Sequence, residues 1–284
     1  MRPETNTDTL LKLQDNFLKE YRSNASIRRY TKHTAGHGIN YLLDAVYSSL
    51  YIDMLEHYIP YSTLQRGLRI LEFGCGGGMN LLHLVSTLAR KGVRVESAYG
   101  TDFSDELIAA ANREAEEQLP PNHRHRVQFC IGKNETLVQD LSAAIGVSQA
   151  NLLGTFDLLI GVNTIRYCHR MGTELACVRA IHDLLTTSGI SIVIDMNKGF
   201  PLFRSRLRDR LTKEKQAYLL PSLDEYARPF TAVGFEILQK KNFCWVPHSA
   251  GPTLTAVLKG LTPVLNTLAP SHAMRSLVVA RKCV

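Results

Sequence analysis

Three groups of residues in this chain have the types and spacing to do chemistry. The first is Leu68-Arg69-Ile70-Leu71-Glu72-Phe73-Gly74-Cys75-Gly76-Gly77-Gly78-Met79-Asn80, an apolar run leading into an acid and then glycines at alternate positions. Glycines at such a turn let the backbone bend tightly and approach a ligand where a Cβ would clash. A helix starting behind them offers unpaired N–H groups to an anion such as a carboxylate. The second group is Gly100-Thr101-Asp102-Phe103, at the end of the next apolar run. An acid in that place can accept both hydroxyls of a ribose. The third is Asn163-Thr164-Ile165-Arg166-Tyr167-Cys168-His169, after a further apolar run. His169 is a candidate general base, because imidazole titrates near neutral pH. Tyr167 could orient that base or shape a pocket, and Arg166 could meet a substrate anion. Each has a plainer alternative: a loop-stabilising histidine, a packed tyrosine, a surface ion pair.

The elements that must position these groups follow from hydrophobic period. Strand-like runs cover 68–73, 93–101, 127–131, 156–162 and 190–196, and helical stretches at 80–90, 105–118, 136–144 and 174–186 lie between them. That alternation predicts a parallel sheet with right-handed crossovers. Two further strand-like runs, 235–246 and 276–282, break the rhythm and suggest a closing antiparallel pair. Amphipathic helices are expected at 8–22 and 39–58, the second stopped by Pro60. No repeat or Pro/Gly/Ser linker divides the chain, so 1–284 reads as one domain. Its parts are an amino-terminal helical cover (1–60), a core (61–197), an insertion (198–226) and the closing strand pair (227–284).

Two competing glycine motifs fail. A dinucleotide-binding G-x-G-x-x-G would need its third glycine at Met79 or Leu81, and a Walker A loop would need a Gly-Lys-Ser/Thr that is absent. The pattern E-x-G-x-G-x-G with an acid ending the second strand instead resembles the class I S-adenosylmethionine-dependent methyltransferases, over roughly 68–196 and more weakly over the last strand pair. The resemblance implies an α/β Rossmann-like, mostly parallel sheet of about seven strands, the last antiparallel, with helices on both faces. It implies S-adenosylmethionine as cofactor and S-adenosylhomocysteine as product. Gly74, Gly76 and Gly78 would line the methionine part, with Cys75 and Asn80 in the same turn. Glu72 would organise the loop or meet the cofactor's amino group, Asp102 would hold the ribose and Phe103 would pack on adenine. The family often carries Asp-Ala after the third strand; here Lys133-Asn134-Glu135 stands there, leaving Asn134 or Glu135 to read the adenine. Tyr30 would reach the cofactor carboxylate and Asn163 would close the set.

The acceptor side is less explicit, because methyl transfer asks the protein chiefly to align a nucleophile and exclude water. The sequence after the fourth strand lacks the Pro-Pro-aromatic pattern of base-modifying amino-methyltransferases. A magnesium site would draw on Asp195, Asn197 and Asn163, but Asn163 stands where a carboxylate is expected, so no metal is assigned. Between Lys198 and Lys215 seven cations face two anions, while Phe203, Leu207 and Leu211 recur every four residues. This reads as a solvated helix or as a lid whose Arg204 and Arg208 screen for an anionic substrate. The apolar run 253–268 is expected to be core or pocket wall.

Composition bounds the rest. A chain of 284 residues, 45% hydrophobic and 21% charged, can bury a large core without cross-links. Its 6 scattered cysteines form no C-x-x-C, which suits reduced thiols in a cytoplasmic protein. No signal-peptide core or membrane-length apolar run is evident. A net charge of +7 suits anionic partners, but no RNA-binding motif or appended recognition domain is present. The expected partner is therefore a small molecule, with an anionic one suiting the charge, rather than nucleic acid. Calorimetry should give saturable heat with S-adenosylmethionine or S-adenosylhomocysteine and none with NAD; heat with NAD alone would overturn the assignment. Gly76→Val should abolish that binding while the far-ultraviolet dichroism spectrum persists.

Overall fold

The computed structural model describes residue 31, residues 36–201 and residues 220–283. Tyr30, Arg204, Arg208, the expected helix at 8–22 and most of the expected lid lie outside the described residues. The described residues open with α1 (His37–Tyr41), which passes through a π-helical stretch (Leu42–Tyr47) into α2 (Ser48–Tyr58) and then α3 (Tyr61–Arg66). The sheet region follows as β1 (Leu68–Phe73), α4 (Met79–Arg90), β2 (Val95–Asp102), α5 (Asp105–Gln118), α6 (Pro121–Arg124) and β3 (Val127–Ile131). It continues through α7 (Leu137–Ile145), α8 (Gln149–Leu152), β4 (Phe156–Val162), α9 (Ile165–Met171), α10 (Glu174–Leu184) and β5 (Leu185–Met196). After the insertion come α11 (Leu223–Val233), β6 (Phe235–Phe243), α12 (Pro252–Leu268) and β7 (Arg275–Lys282).

The seven strands lie in the order β3-β2-β1-β4-β5-β7-β6. The pairs among β1 to β5 are parallel, and β7 runs antiparallel to both β5 and β6. The expected parallel set and reversed last strand are therefore present. β1 and β4 read as near-continuous apolar runs because both of their faces are covered. Successive residues serve opposite layers: Ile70 and Ile192 pack with Tyr47, Tyr51, Leu81 and Leu84, while Leu71 and Val193 pack with Leu141, Val178, Ile181 and Phe230. After β1 the chain builds outward through β2 and β3, then returns to lay β4 on the other side of β1. Connections diverge there, so a crevice opens at the carboxyl ends of β1 and β4. All three chemical groups found in the sequence end at that edge.

Several expected boundaries move, each for a local reason. β5 begins at Leu185 rather than at 190, since Leu185 already pairs with Phe156 ahead of a register shift. β6 stops at Phe243 rather than at 246, because Cys244 takes φ +60° and cannot continue the strand. The run 253–268 forms α12, and only part of its apolar stripe is core: Leu258 and Leu265 pack against buried clusters. Leu254, Val257, Leu261, Val264 and Leu268 are 47–76% exposed, and Thr255 is the buried residue of that helix. Helical spacing alone does not reveal whether a neighbour covers the apolar stripe. Among the described residues no helix is long and apolar enough to cross a membrane.

Gly161 in β4 shows how tightly the strand behind the third group is packed. A Cβ built there would fall within the ring of Phe73, which is fully buried and has nowhere to swing. Gly161→Ala should therefore cost about 1–3 kcal/mol through overpacking. A urea midpoint unchanged within error would show that the β1–β4 layer can relax.

Candidate active site

The glycine turn is held by the end of the second strand. Gly74, Gly76 and Gly78 have φ of +64°, +56° and +75°, left-handed conformations that side chains resist. At Gly74 the space is also taken, because an added Cβ would sit 2.6 Å from the Thr164 side chain. Asp102, buried at the end of β2, accepts from the Gly76 N–H at 2.9 Å through Oδ2 and from the Ser104 N–H at 3.0 Å through Oδ1. The Cys75 N–H donates to the Thr101 carbonyl at 2.9 Å, a second tie between turn and strand. Burial lifts the Asp102 carboxyl above the usual carboxylate range, and the backbone donors from Ser104, Gly76 and Phe103 oppose that. Three backbone donors against about four acceptor positions leave the carboxylate room for a further hydroxyl donor. Phe103 stands half-buried beside it.

Glu72 supplies the other half of the turn's electrostatics. Its Oε1 accepts from Asn80 Nδ2 at 2.9 Å, and Asn80 Oδ1 accepts from the Tyr51 hydroxyl at 3.1 Å. This chain of hydrogen bonds joins β1, the first turn of α4 and the amino-terminal helix α2. Glu72 Oε2 has no hydrogen-bond partner although it is buried. Desolvation pushes the Glu72 carboxyl up to about 8, against the lowering effect of Asn80 and the Leu81 backbone N–H. A buried acceptor left open is costly unless a donor arrives with a ligand. An ammonium group would fill the gap and favour the ionised carboxylate, so the residues present fit the amino group of S-adenosylmethionine.

The third group comes to the same edge from β4 and β5. Asn163 takes φ +59°, its N–H donates to the Ile194 carbonyl at 2.7 Å, and its Oδ1 accepts from Arg275 at 3.4 Å. Thr164 donates from its hydroxyl to the Phe73 carbonyl at 3.3 Å, pinning this loop over the glycine turn. Asp195 is fully buried; it accepts from the Arg166 N–H at 2.9 Å and the Met196 N–H at 2.8 Å, and pairs with the Arg166 guanidinium at 3.7 Å. Arg166 also donates to the Tyr167 hydroxyl at 2.8 Å, so these two candidates are brought together. His169 instead lies 3.6 Å from Glu174 on α10. Asn134 donates to Cys168 Sγ at 3.6 Å from a half-buried position, and Glu135 is exposed. Asn197 spends its amide on the Ser271 and Ala273 carbonyls and the Gly199 N–H. Among the described residues no three His, Cys, Asp or Glu side chains cluster as metal ligands do.

Tyr47, Tyr51 and Arg275 also belong to this edge, and sequence reasoning missed them. The two tyrosines, four apart on the amino-terminal helix, are indistinguishable from core residues by period alone. Arg275 did carry a signal: a lone cation heading the apolar run Ser276-Leu277-Val278-Val279.

A carboxyl held in its neutral form by burial makes stability depend on pH. The folded chain keeps the Glu72 proton up to about 8, whereas the unfolded chain releases it near the model-peptide value of 4.5. Between those values the unfolded state binds fewer protons, so this contribution to stability is present at low pH and is lost as pH rises toward 8. Glu72→Gln, uncharged throughout, should flatten that fall in a series of melting curves from pH 5 to 8. A parallel profile for the two proteins would show that Glu72 ionises freely.

The chain and its fold have counterparts among known proteins. The profile of a family described as a methyltransferase domain matches residues 64–250. The ubiquinone biosynthesis O-methyltransferase of Ruegeria pomeroyi is 25% identical over 193 residues, which span 64% of this chain and 66% of that relative. The crystal structure of the 4+2 cyclase SpnF shares the fold with a TM-score of 0.52 and 19% identity, over 84% of this chain and 82% of the other. A SAM-dependent methyltransferase from Aquifex aeolicus superposes with a TM-score of 0.51 at 12% identity, over 94% of this chain and 97% of that one. A glycine turn clamped by Asp102, a buried carboxyl open to an ammonium and a profile spanning the whole parallel sheet agree: the chain belongs to the methyltransferase domain family and is an S-adenosylmethionine-dependent enzyme of the class I Rossmann-like type.

Proposed function

We propose that this enzyme transfers the methyl group of S-adenosylmethionine to an oxygen, nitrogen or carbon nucleophile of a small molecule. The observation that carries this reading is the burial of the charged side chains at this edge. Glu72, Asp102, Asp195 and Arg275 are each 6% exposed or less, beneath helices rather than on an open face. Enclosure of that kind suits a small ligand better than a nucleic acid or a protein. Similarity to a ubiquinone biosynthesis O-methyltransferase supports an organic acceptor.

When bound, the cofactor supplies an electrophilic methyl carbon on a sulfonium leaving group. The chain's own residues do the positioning. Glu72 Oε2 receives the ammonium of the methionine portion, and the backbone of Gly74, Gly76 and Gly78 lines it together with Cys75 and Asn80. Asp102 offers its remaining acceptor capacity to the ribose, Phe103 packs on the adenine, and Asn134 or Glu135 reads its edge. Asn163 and Thr164, pinned over the turn, set where the acceptor can approach. Tyr167, oriented by Arg166, and His169, paired with Glu174, are the groups available to hold or accept an acceptor proton. Alignment and exclusion of water account for most of the rate gain expected of such a site.

Asp195 has both oxygens engaged by backbone N–H groups and a guanidinium, and Asn163 replaces a carboxylate at the end of β4. We therefore expect turnover to survive EDTA; loss of activity restored by magnesium would refute this assignment of Asp195. The acceptor class is tested by incubating the enzyme with labelled cofactor and an extract of its own cells. Label in the small-molecule fraction is the expected result. Label in RNA or protein would replace this reading with a macromolecular one, and binding of the cofactor without any labelled product would indicate a non-catalytic role.

A further inference from the structure

Arg275 is the first residue of β7, opposite Met196 of β5 and Phe243 of β6. It is 1% exposed, the largest fully buried side chain described. Its guanidinium reaches back across β5 to Asn163 Oδ1 at 3.4 Å and lies 5.7 Å from the centre of the Tyr47 ring. Its Nε has no hydrogen-bond partner. No carboxylate of the described residues lies within ion-pair distance of it, and the carboxylate at the neighbouring strand end, Asp195, is already engaged by Arg166 and two backbone N–H groups. Across the ends of β4, β5 and β7 the described side chains thus hold two guanidinium groups against one carboxylate. A desolvated cation with one long hydrogen bond and one aromatic face is poorly compensated within the protein.

Position indicates what would compensate it. The glycine turn and Asp102 stand on β1 and β2, on the far side of β4. The guanidinium lies on the other side of β4 from that turn, bonded to Asn163, the residue that follows β4. The planar fork of an arginine matches a carboxylate or phosphate through paired hydrogen bonds. We propose that Arg275 anchors an anionic group of the acceptor, so that this methyltransferase acts on small molecules bearing a carboxylate or a phosphate. Asn163 holds one guanidinium nitrogen, Tyr47 supports the plane, and the open Nε faces the anion. This inference rests on the methyltransferase reading for the word acceptor, but the anion site can be tested separately.

The test uses the full chain labelled with nitrogen-15 in arginine, with the Arg275 Nε–H resonance identified by its loss in Arg275→Met and Arg275→Gln. Benzoate, phenyl phosphate and neutral benzamide are titrated, each with and without S-adenosylhomocysteine. The resonance should shift and saturate with at least one anion and not with benzamide, and the tighter arm shows whether a carboxylate or a phosphate is preferred. Both variants should bind S-adenosylhomocysteine within about twofold of the wild type. Each should melt no lower than the wild type in the absence of anion, because an uncompensated buried charge has been removed. A resonance blind to both anions overturns the proposal. A loss of about tenfold or more in S-adenosylhomocysteine affinity would assign Arg275 to the cofactor's carboxylate instead. Melting lower by about 5 °C or more in both variants, with Arg275→Lys restoring it, would make the residue structural. Failure of the wild type to bind S-adenosylhomocysteine would count against the cofactor reading alone, since the titration without it still decides the anion site.

Discussion

Charge buried at the carboxyl edge of the sheet is the constraint on which the rest of this structure depends. An ionisable group taken out of water must be paired, hydrogen-bonded or neutralised. Asp102 meets that demand with backbone donors, and in doing so fixes the glycine turn against β2. Asp195 meets it with two N–H groups and Arg166, and thereby fixes the start of α9 against β5. Glu72 meets it only in part, through Asn80 and a raised proton affinity. The geometry of the crevice is largely the record of how these carboxyl groups are satisfied.

The amino-terminal helix is coupled to this edge rather than merely laid over it. Tyr51 closes the chain of hydrogen bonds to Glu72 through Asn80, and Tyr47 sits against Arg275. The amino-terminal helix therefore touches both the Glu72 end and the Arg275 end of this edge. Just before α2 the π-helical stretch Leu42–Tyr47 widens the turn, and the Ser48 hydroxyl donates to the Leu43 carbonyl at 2.8 Å. Such a stretch changes which way the following side chains point. Ser48 also meets His83 of α4 at 2.6 Å, which ties the helix to the element behind the glycine turn.

The ends of β4, β5 and β7 illustrate how residue type and residue role separate. Arg166 has the charge expected of an anion contact, yet its guanidinium serves Asp195 and Tyr167. His169 has the chemistry of a base, yet its nearest acid is Glu174 on α10. Arg275, in a strand that reads as core, has no acid of the described residues within ion-pair distance. Which cation is spent within the protein depends on strand order, because β7 inserts between β5 and β6 and brings its first residue to the end of β4.

By itself the sequence determined the strands of the sheet and the glycine turn. Apolar period marked every strand of the sheet, and the alternate glycines with Glu72 and Asp102 identified the turn, because these signals are local and follow from backbone geometry. Tertiary structure alone decided what is compensated by what. Tyr51 pairs with Asn80 across 29 positions and Arg275 with Asn163 across 112, contacts that no local period encodes. It decided too that most of the apolar stripe of α12 faces outward, since burial depends on what packs against a helix and not on its own pattern. The reason is the same in each case: conformational preference is set by near neighbours along the chain, whereas desolvation is set by neighbours in space.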